Sequence, residues 1–319
     1  MNVRAIASLL VMPYEYMGDS LRALRWSKAS PLCPKNKQLY YDIMLLAHTV
    51  EKGLSVPEPR PLFGEAKINE LLNLLEVYDE RWGGICLEKS YGCLREYLAW
   101  HEEHGYKLDG RQERIQTFIK RCQDLDLQPK GGTKVINASA VEQNLAFETA
   151  LNSRFSCRTY TNQKVDIDTV ERIISVALRS PSQCNRQSTR LHYYTDRTKI
   201  QNLLKLQGGA EGFRESVNNL FVVTCEFSAW SGAKARSQAY IDGALVSMQI
   251  LNACQALGLG VCPLNLAITN RLELKVCRAG EIPRSQRLIM MISFGYPEKW
   301  DLKVARSERI SRKEFMRVH

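Results

Sequence analysis

The segment Arg154-Phe155-Ser156-Cys157-Arg158 sets two guanidinium groups on either side of a hydroxyl. Planar Arg forks bind phosphate oxygens bidentately and stay charged at any relevant pH, so the trio suits an anion cradle. By itself the pattern is far more often that of a solvated surface segment. A second segment, Ser180-Pro181-Ser182-Gln183-Cys184-Asn185-Arg186-Gln187, offers hydroxyl and amide groups that both donate and accept, which matches a heterocycle edge with alternating C=O and N–H. Taken alone it also reads as a helix-terminating loop rich in turn formers. A third runs Gly258-Leu259-Gly260-Val261-Cys262-Pro263-Leu264-Asn265-Leu266, where glycines permit a sharp turn and close approach to a ligand. The fourth is Phe294-Gly295-Tyr296-Pro297, followed by Arg306-Ser307-Glu308-Arg309, a second pair of guanidinium groups near the C-terminus.

The elements that must position these residues follow from periodicity. Leu39, Ile43, Leu46 and Val50 recur at helical spacing, with Gly53 as the expected stop. Val56 to Pro61, with three alternating prolines, is not helical. Ile68, Leu71, Leu72 and Leu75 mark another amphipathic helix, and two more are predicted near 91–103 and 111–121. The region before Asp124 is therefore all-helical, and 124–135, with Pro129 and Gly131-Gly132, is the expected linker. Beyond it helices and strands alternate. A lead-in helix is predicted over 139–151, and Asp166 caps a helix bearing Val170, Ile173, Ile174 and Ala177. Leu191–Thr195, Leu220–Phe227 and Leu288–Phe294 read as strands, the last of them central. Tyr240–Leu257 reads as a long helix, mostly buried. The chain divides into a helical region, 1–135, and a mixed region, 136–319.

In order and separation, the four segments resemble the FMN-binding nitroreductase family, from about Phe147 to the end. The resemblance implies an α+β fold: a mostly antiparallel central sheet flanked by helices, forming a homodimer with FMN at its interface. Arg154 and Ser156 would hold the phosphate and ribityl chain, and Arg158 would reach the ribityl or the pyrimidine edge. Pro181, Ser182, Gln183 and Asn185 would line the flavin from the partner subunit. Pro263, Leu264, Asn265 and Leu266 would pass the ring with a backbone N–H near N5. Arg306, Ser307 and Arg309 would complete the phosphate site, and Arg214, by position, would approach N1 and O2. Leu266 stands where the family often has Gly, and Ser188 where it usually has Pro. The implied chemistry is ping-pong hydride transfer from NAD(P)H through flavin N5 to a nitro, quinone or enone acceptor, with no acid–base residue required. The alternative is a flavin-fold binding or regulatory subunit with little turnover. It is motivated by the unassigned helical region and the short stretch Ser228–Ser237.

Composition narrows the remaining classes. The chain has 319 residues, 45% hydrophobic and 24% charged, enough for two packed units. The net charge of +10 is spread along the chain without a dense basic block, so nucleic acid is not an expected partner. No apolar run approaches the roughly 20 residues of a membrane span, and Ala5–Met12 is too short for a signal peptide. Ten cysteines without CxxC pairs point to reduced thiols in the cytoplasm and to no metal site. His48 and Glu51 share a helix face, but a structural helix end is the expected role of His48–Leu54, with Phe63-Gly64 as a docking element toward the flavin half.

Overall fold

The computed structural model describes residues 3–54, 59–133, 145–230, 235–297 and 311–319, with side chains from Pro13 onward apart from positions 52, 145, 146 and 314. Its helices are α1 Val3–Trp26, α2 Lys35–Leu54, α3 Glu65–Val77, α4 Ile85–Glu103, α5 Gly110–Asp124, α6 Leu145–Ser153, α7 Ile167–Ala177, α8 Arg197–Gln207, α9 Gln238–Ala256 and α10 Asn270–Ala279. The strands are β1 Thr189–Tyr194, β2 Asn219–Glu226, β3 Gly260–Asn265 and β4 Gln286–Gly295. They form one antiparallel sheet in the order β1-β2-β4-β3.

Helices α2 to α5 enclose a core of their own, in which Ile43, Met44, Ile68, Leu71, Leu94 and Ile115 are fully or almost fully buried. The predicted faces of α2 and α3 are the buried ones. Gly53 is not a stop, because α2 runs on to Leu54. A Cβ on Gly53 would lie 2.0 Å from the Phe63 ring, so glycine is there for close packing. Phe63 in turn packs against Tyr97, Trp100 and His101. The pair therefore joins helices within the helical unit and does not dock it to the sheet, contrary to expectation. The 124–135 segment is likewise no free tether where it is described. Lys130 N donates to Glu88 O at 3.0 Å, and Thr133 N to Glu96 Oε2 at 2.6 Å.

His101 is fully buried, and its tautomer is fixed from both sides. Its Nδ1 lies 2.8 Å from Tyr97 O, and Leu62 N donates to its Nε2 at 3.2 Å. Burial, outweighing the Tyr97 bond, lowers its pKa below the ordinary 6.5. A depressed histidine contributes stability that is present above the unfolded value and lost as pH falls through the folded one. The helical unit should therefore weaken below pH 6.5. Urea unfolding of wild type and His101→Gln across that window should show a slope that the variant lacks.

The sheet is sandwiched by strict alternation. Phe221, Val223, Val261, Ile292 and Phe294 face α7 and α9, while Leu220, Val222, Cys262, Leu264 and Met291 face α8 and α10. As predicted, the Asp166 carboxylate caps α7, accepting from Thr169 N at 2.7 Å. A bulge in β4 opposite Val223 and Thr224 displaces Ile289, and Gly243 gives α9 room to cross over it. The long helix is less buried than its composition suggests: Tyr240, Ile241, Leu245 and Met248 are 41–50% exposed. Of the ten cysteines, all free, nine are buried and Cys184 is half-buried.

Helix α2 meets the sheet through an apolar cluster of Tyr41, Cys225 and Trp230 and through charge, and α1 is tied to α10 and β4 by ion pairs. Lys37 Nζ meets Glu226 Oε2 at 2.8 Å, and Glu226 accepts from Gln286 Nε2 at 3.1 Å. Gln286 Oε1 accepts in turn from Thr224 and from His192, each at 2.7 Å. Arg22 meets Glu273 at 2.7 Å, while Arg287 bridges Asp19 at 2.7 Å and Glu273 at 3.2 Å.

Candidate cofactor site

The first motif runs beside the free edge of β3. Ser156 forms a parallel bridge with Val261, Cys157 N donates to Val261 O at 3.0 Å, and Tyr160 bridges Pro297. Phe155 and Cys157 enter the core on the α8 and α10 side of the sheet. The Cys262 thiol feels the motif directly: burial pushes its pKa up, while Arg158, the Ser156 hydroxyl and Arg154 draw it back. Nη1 of Arg154 is buried and has no hydrogen-bond partner among the described residues.

The third motif is strand β3 itself. Pro263 is tolerated because β3 is an edge strand, where one row of N–H groups needs no ladder partner. At its end Asn265 Oδ1 accepts from Ala267 N at 3.1 Å, turning the chain at Leu266. Gly258, with φ of +73°, provides the left-handed residue that ends α9. Gly295 and Tyr296 lie beside the first motif, since Thr161 N donates to Tyr296 O at 2.9 Å. Three of the four segments thus meet at one corner of the sheet. Arg306, Ser307 and Arg309 lie outside the described residues.

The second motif lies at the opposite corner. Its loop leads into Thr189, which pairs with Cys225 at the end of the sheet where β4 begins, whereas Val261 pairs with Phe294 where β4 ends. Three strand spacings and seven residues of rise separate the corners, about 14 Å across and about 24 Å along the strands. The loop is strained: Cys184, Asn185 and Gln187 have φ of 52°, 49° and 51°. Ser182 Oγ accepts from Gln187 N at 3.0 Å, and Arg186 stacks over Trp230 at 5.3 Å. Arg190 carries the contact on to α2, reaching the buried Tyr41 hydroxyl at 3.4 Å. Ser180 Oγ is buried and has no hydrogen-bond partner among the described residues. Arg214, in the turn before β2, is paired with Glu211 at 2.5 Å and Glu215 at 3.5 Å.

Sequence reasoning missed Asp242, the residue that anchors this loop. Its carboxylate, 1% exposed, accepts from Gln183 N at 3.2 Å and from Gln238 Nε2 at 2.8 Å. The signal was present as the one acidic residue in a helix otherwise free of charged side chains. Burial raises its pKa, only partly offset by Gln238, Gln183 and Arg186. A carboxyl raised in the fold favours the native state when protonated, and that contribution is lost as pH rises through the folded value. Asp242→Asn, which keeps an acceptor, should therefore equal or exceed wild type at pH 7 and lose that advantage toward pH 4. Asp242→Ala should cost about 1–3 kcal/mol. Urea melts at both pH values check the two signs.

The nitroreductase family model matches residues 151–220, from the first motif through the strained loop into β2. The C-terminal half is nitroreductase-like. Solved structures similar to this chain include an FMN-dependent nitroreductase from Clostridium difficile R20291, 20% identical over 53% of this chain and 96% of that one, with a TM-score of 0.45. NfrA2 of B. megaterium is 17% identical over 55% and 74% of the two chains, with a TM-score of 0.48. Nitroreductase A from Vibrio parahaemolyticus RIMD 2210633 is 18% identical over 50% and 70%, with a TM-score of 0.44. No curated protein matches the chain. Among the described residues, no helix is long and apolar enough to cross a membrane.

Proposed function

We propose that this chain is an FMN-dependent oxidoreductase of nitroreductase type, acting in the cytoplasm as a homodimer. NAD(P)H is the proposed reductant, and the acceptor a small nitro, quinone or enone compound. The observation that carries this reading is the buried Nη1 of Arg154, which has no partner among the described residues. A buried donor left unsatisfied costs about 1–3 kcal/mol, and a phosphate oxygen would satisfy it. Arg154 and Ser156 would hold the phosphate and ribityl chain, Arg158 the ribityl or pyrimidine edge, and Arg306, Ser307 and Arg309 the remaining phosphate oxygens. Pro263, Leu264, Asn265 and Leu266 would bring backbone N–H groups past the ring. Arg214 would balance negative charge at the pyrimidine edge, shared with its two glutamates.

The diagonal separation of the motifs supports the dimer. Pro181, Ser182, Gln183 and Asn185 are too far from Arg154 in one protomer to share a flavin with it, and a second copy would supply them. The division at 135/136 then assigns the chemistry to the second region. Bound FMN would supply hydride transfer between NAD(P)H and the acceptor, which leaves the chain to bind, orient and hold charge.

The reading is tested by reconstituting the purified protein with FMN and mixing it with NADH and NADPH in a stopped-flow instrument. Stoichiometric uptake, loss of the oxidised-flavin absorbance on mixing and its return on adding a quinone are the expected results. Uptake with no reduction by either nucleotide would favour a binding subunit. A protein that takes up no flavin would end the proposal.

A further inference from the structure

Helix α2 lies against the turn Gln183–Asn185, so the helical unit meets the one motif that stands apart from the others. Three residues of this loop, Cys184, Asn185 and Gln187, hold a left-handed backbone although each carries a Cβ. Such a conformation is costly and persists only where the surroundings fix it. The flavin half supplies two of the restraints. Asp242 accepts from Gln183 N at 3.2 Å, and Ser182 Oγ accepts from Gln187 N at 3.0 Å.

Two arginines supply further restraints, and both end on groups that the helical unit packs. Arg190 Nη1 donates to Gln187 O at 2.8 Å and to Thr189 O at 2.9 Å, while its Nη2 donates to the Tyr41 hydroxyl of α2 at 3.4 Å. Arg186 Nη1 donates to Gln183 Oε1 at 3.1 Å, and its guanidinium lies over the Trp230 ring. Trp230 shares an apolar cluster with Tyr41, and its carbonyl accepts from Lys28 N, between α1 and α2, at 3.0 Å. Tyr41 is itself held rigidly: it is 2% exposed, and Tyr40 meets its ring edge-on at 5.0 Å. Burial raises its pKa more than Arg190 lowers it, so the hydroxyl stays neutral and its oxygen accepts from Arg190.

We propose that the helical unit braces the loop of the second motif, and that Arg190 is the positioning residue that carries the hold of Tyr41 to the backbone of Gln187. Without the phenol, the Arg190 fork loses one of its fixed points and the loop can relax toward right-handed backbone, which moves Gln183 and Asn185. The effect on the cofactor rests on the reading that these two residues line the flavin, whereas the brace itself does not. Residues outside 151–220, the segment matched by the nitroreductase family model, thereby govern how the flavin is held.

Cys184 reports on the loop, because it stands at a strained position and is half-buried where the other nine cysteines are buried. The full chain, with and without FMN, is treated with an aromatic disulfide reagent as wild type, Tyr41→Phe, Arg190→Gln and the double variant. Arg190→Gln should speed modification of Cys184 about tenfold or more, the scale of a lost hydrogen bond from a charged donor, and Tyr41→Phe roughly threefold or more. The double variant should be no faster than Arg190→Gln alone, because Tyr41 acts through Arg190. The nine buried thiols should stay unreactive, which shows the fold intact. In the loaded protein the visible circular-dichroism band of FMN should weaken in the same order. A Tyr41→Phe protein that reacts at the wild-type rate, or effects of the two substitutions that simply add, would overturn the brace. Faster modification with flavin affinity and circular dichroism unchanged would overturn its bearing on the cofactor. A wild type that takes up no flavin while Cys184 responds as expected would end the flavin reading and leave the brace standing.

Discussion

Arg154→Ala should bind FMN between about tenfold and a hundredfold more weakly than wild type, as expected on losing a hydrogen bond to a charged group worth about 1.5–3 kcal/mol. Titration of FMN followed by quenching of its fluorescence measures this directly. The same substitution should leave the flavin-free protein as stable as before or slightly more stable. In the absence of an anion the Arg154 Nη1 is a buried donor with nothing to donate to among the described residues, and removing it removes a cost. Affinity and stability therefore move in opposite directions, which a merely structural arginine would not produce. Arg154→Lys should recover only part of the affinity, because an ammonium group keeps the charge without the planar fork. An unchanged affinity in a folded Arg154→Ala protein would take this residue out of the site.

The second large effect is expected far from any ligand. Glu273 is 4% exposed and serves three donors: Arg22 at 2.7 Å, Arg287 at 3.2 Å and Leu288 N at 3.2 Å. Burial opposes the Arg287 charge, yet Glu273, Tyr240 and Asp19 together hold its pKa above the ordinary value. Glu273→Ala would leave Arg22 without its carboxylate and Arg287 with Asp19 alone. Breaking a buried pair from one side costs about 3–5 kcal/mol. Urea unfolding should show that loss, and limited proteolysis should cut the chain between α1 and α2 in the variant before it does so in wild type. Glu273→Gln, which retains an acceptor for Leu288 N, should lose less. A variant as stable as wild type would mean that α1 is held by its other contacts alone.

Much of the fold could be read in the residues because period and capping agree locally. The buried positions of α3 and α7 are those picked out by spacing, and β1, β2 and β4 lie within a residue or two of their predicted spans. Other features escaped for definite reasons. Strand β3 was hidden by the glycines before it and by Pro263 within it, both of which usually mark turns. Only its place at a sheet edge makes the proline acceptable. Helix α1 was read only as a short apolar run, because it packs through charged residues and its partners, Asn270, Glu273 and Arg287, lie more than two hundred positions away. The exposure of α9 was misjudged because apolar composition shows what a helix would bury and not whether its own chain covers it. At the site, the motifs that meet at one corner were legible as an ordered set. Their separation from the strained loop became visible only once strand order and register were known.

The bridge between Ser156 and Val261 has a consequence beyond the ligand. An edge strand is a template on which other chains can add, and β3 pairs with a neighbouring strand of the sheet only through β4. The segment proposed to grip the phosphate also occupies part of that row of backbone groups, so one stretch of chain guards against aggregation while it presents its arginines. Insertion of a single residue between Arg154 and Ser156 would reverse the alternation between them and slide the guard out of step with Val261. The alternation of this short segment is thus constrained twice, and a family of such proteins could lengthen almost any loop more safely than this one.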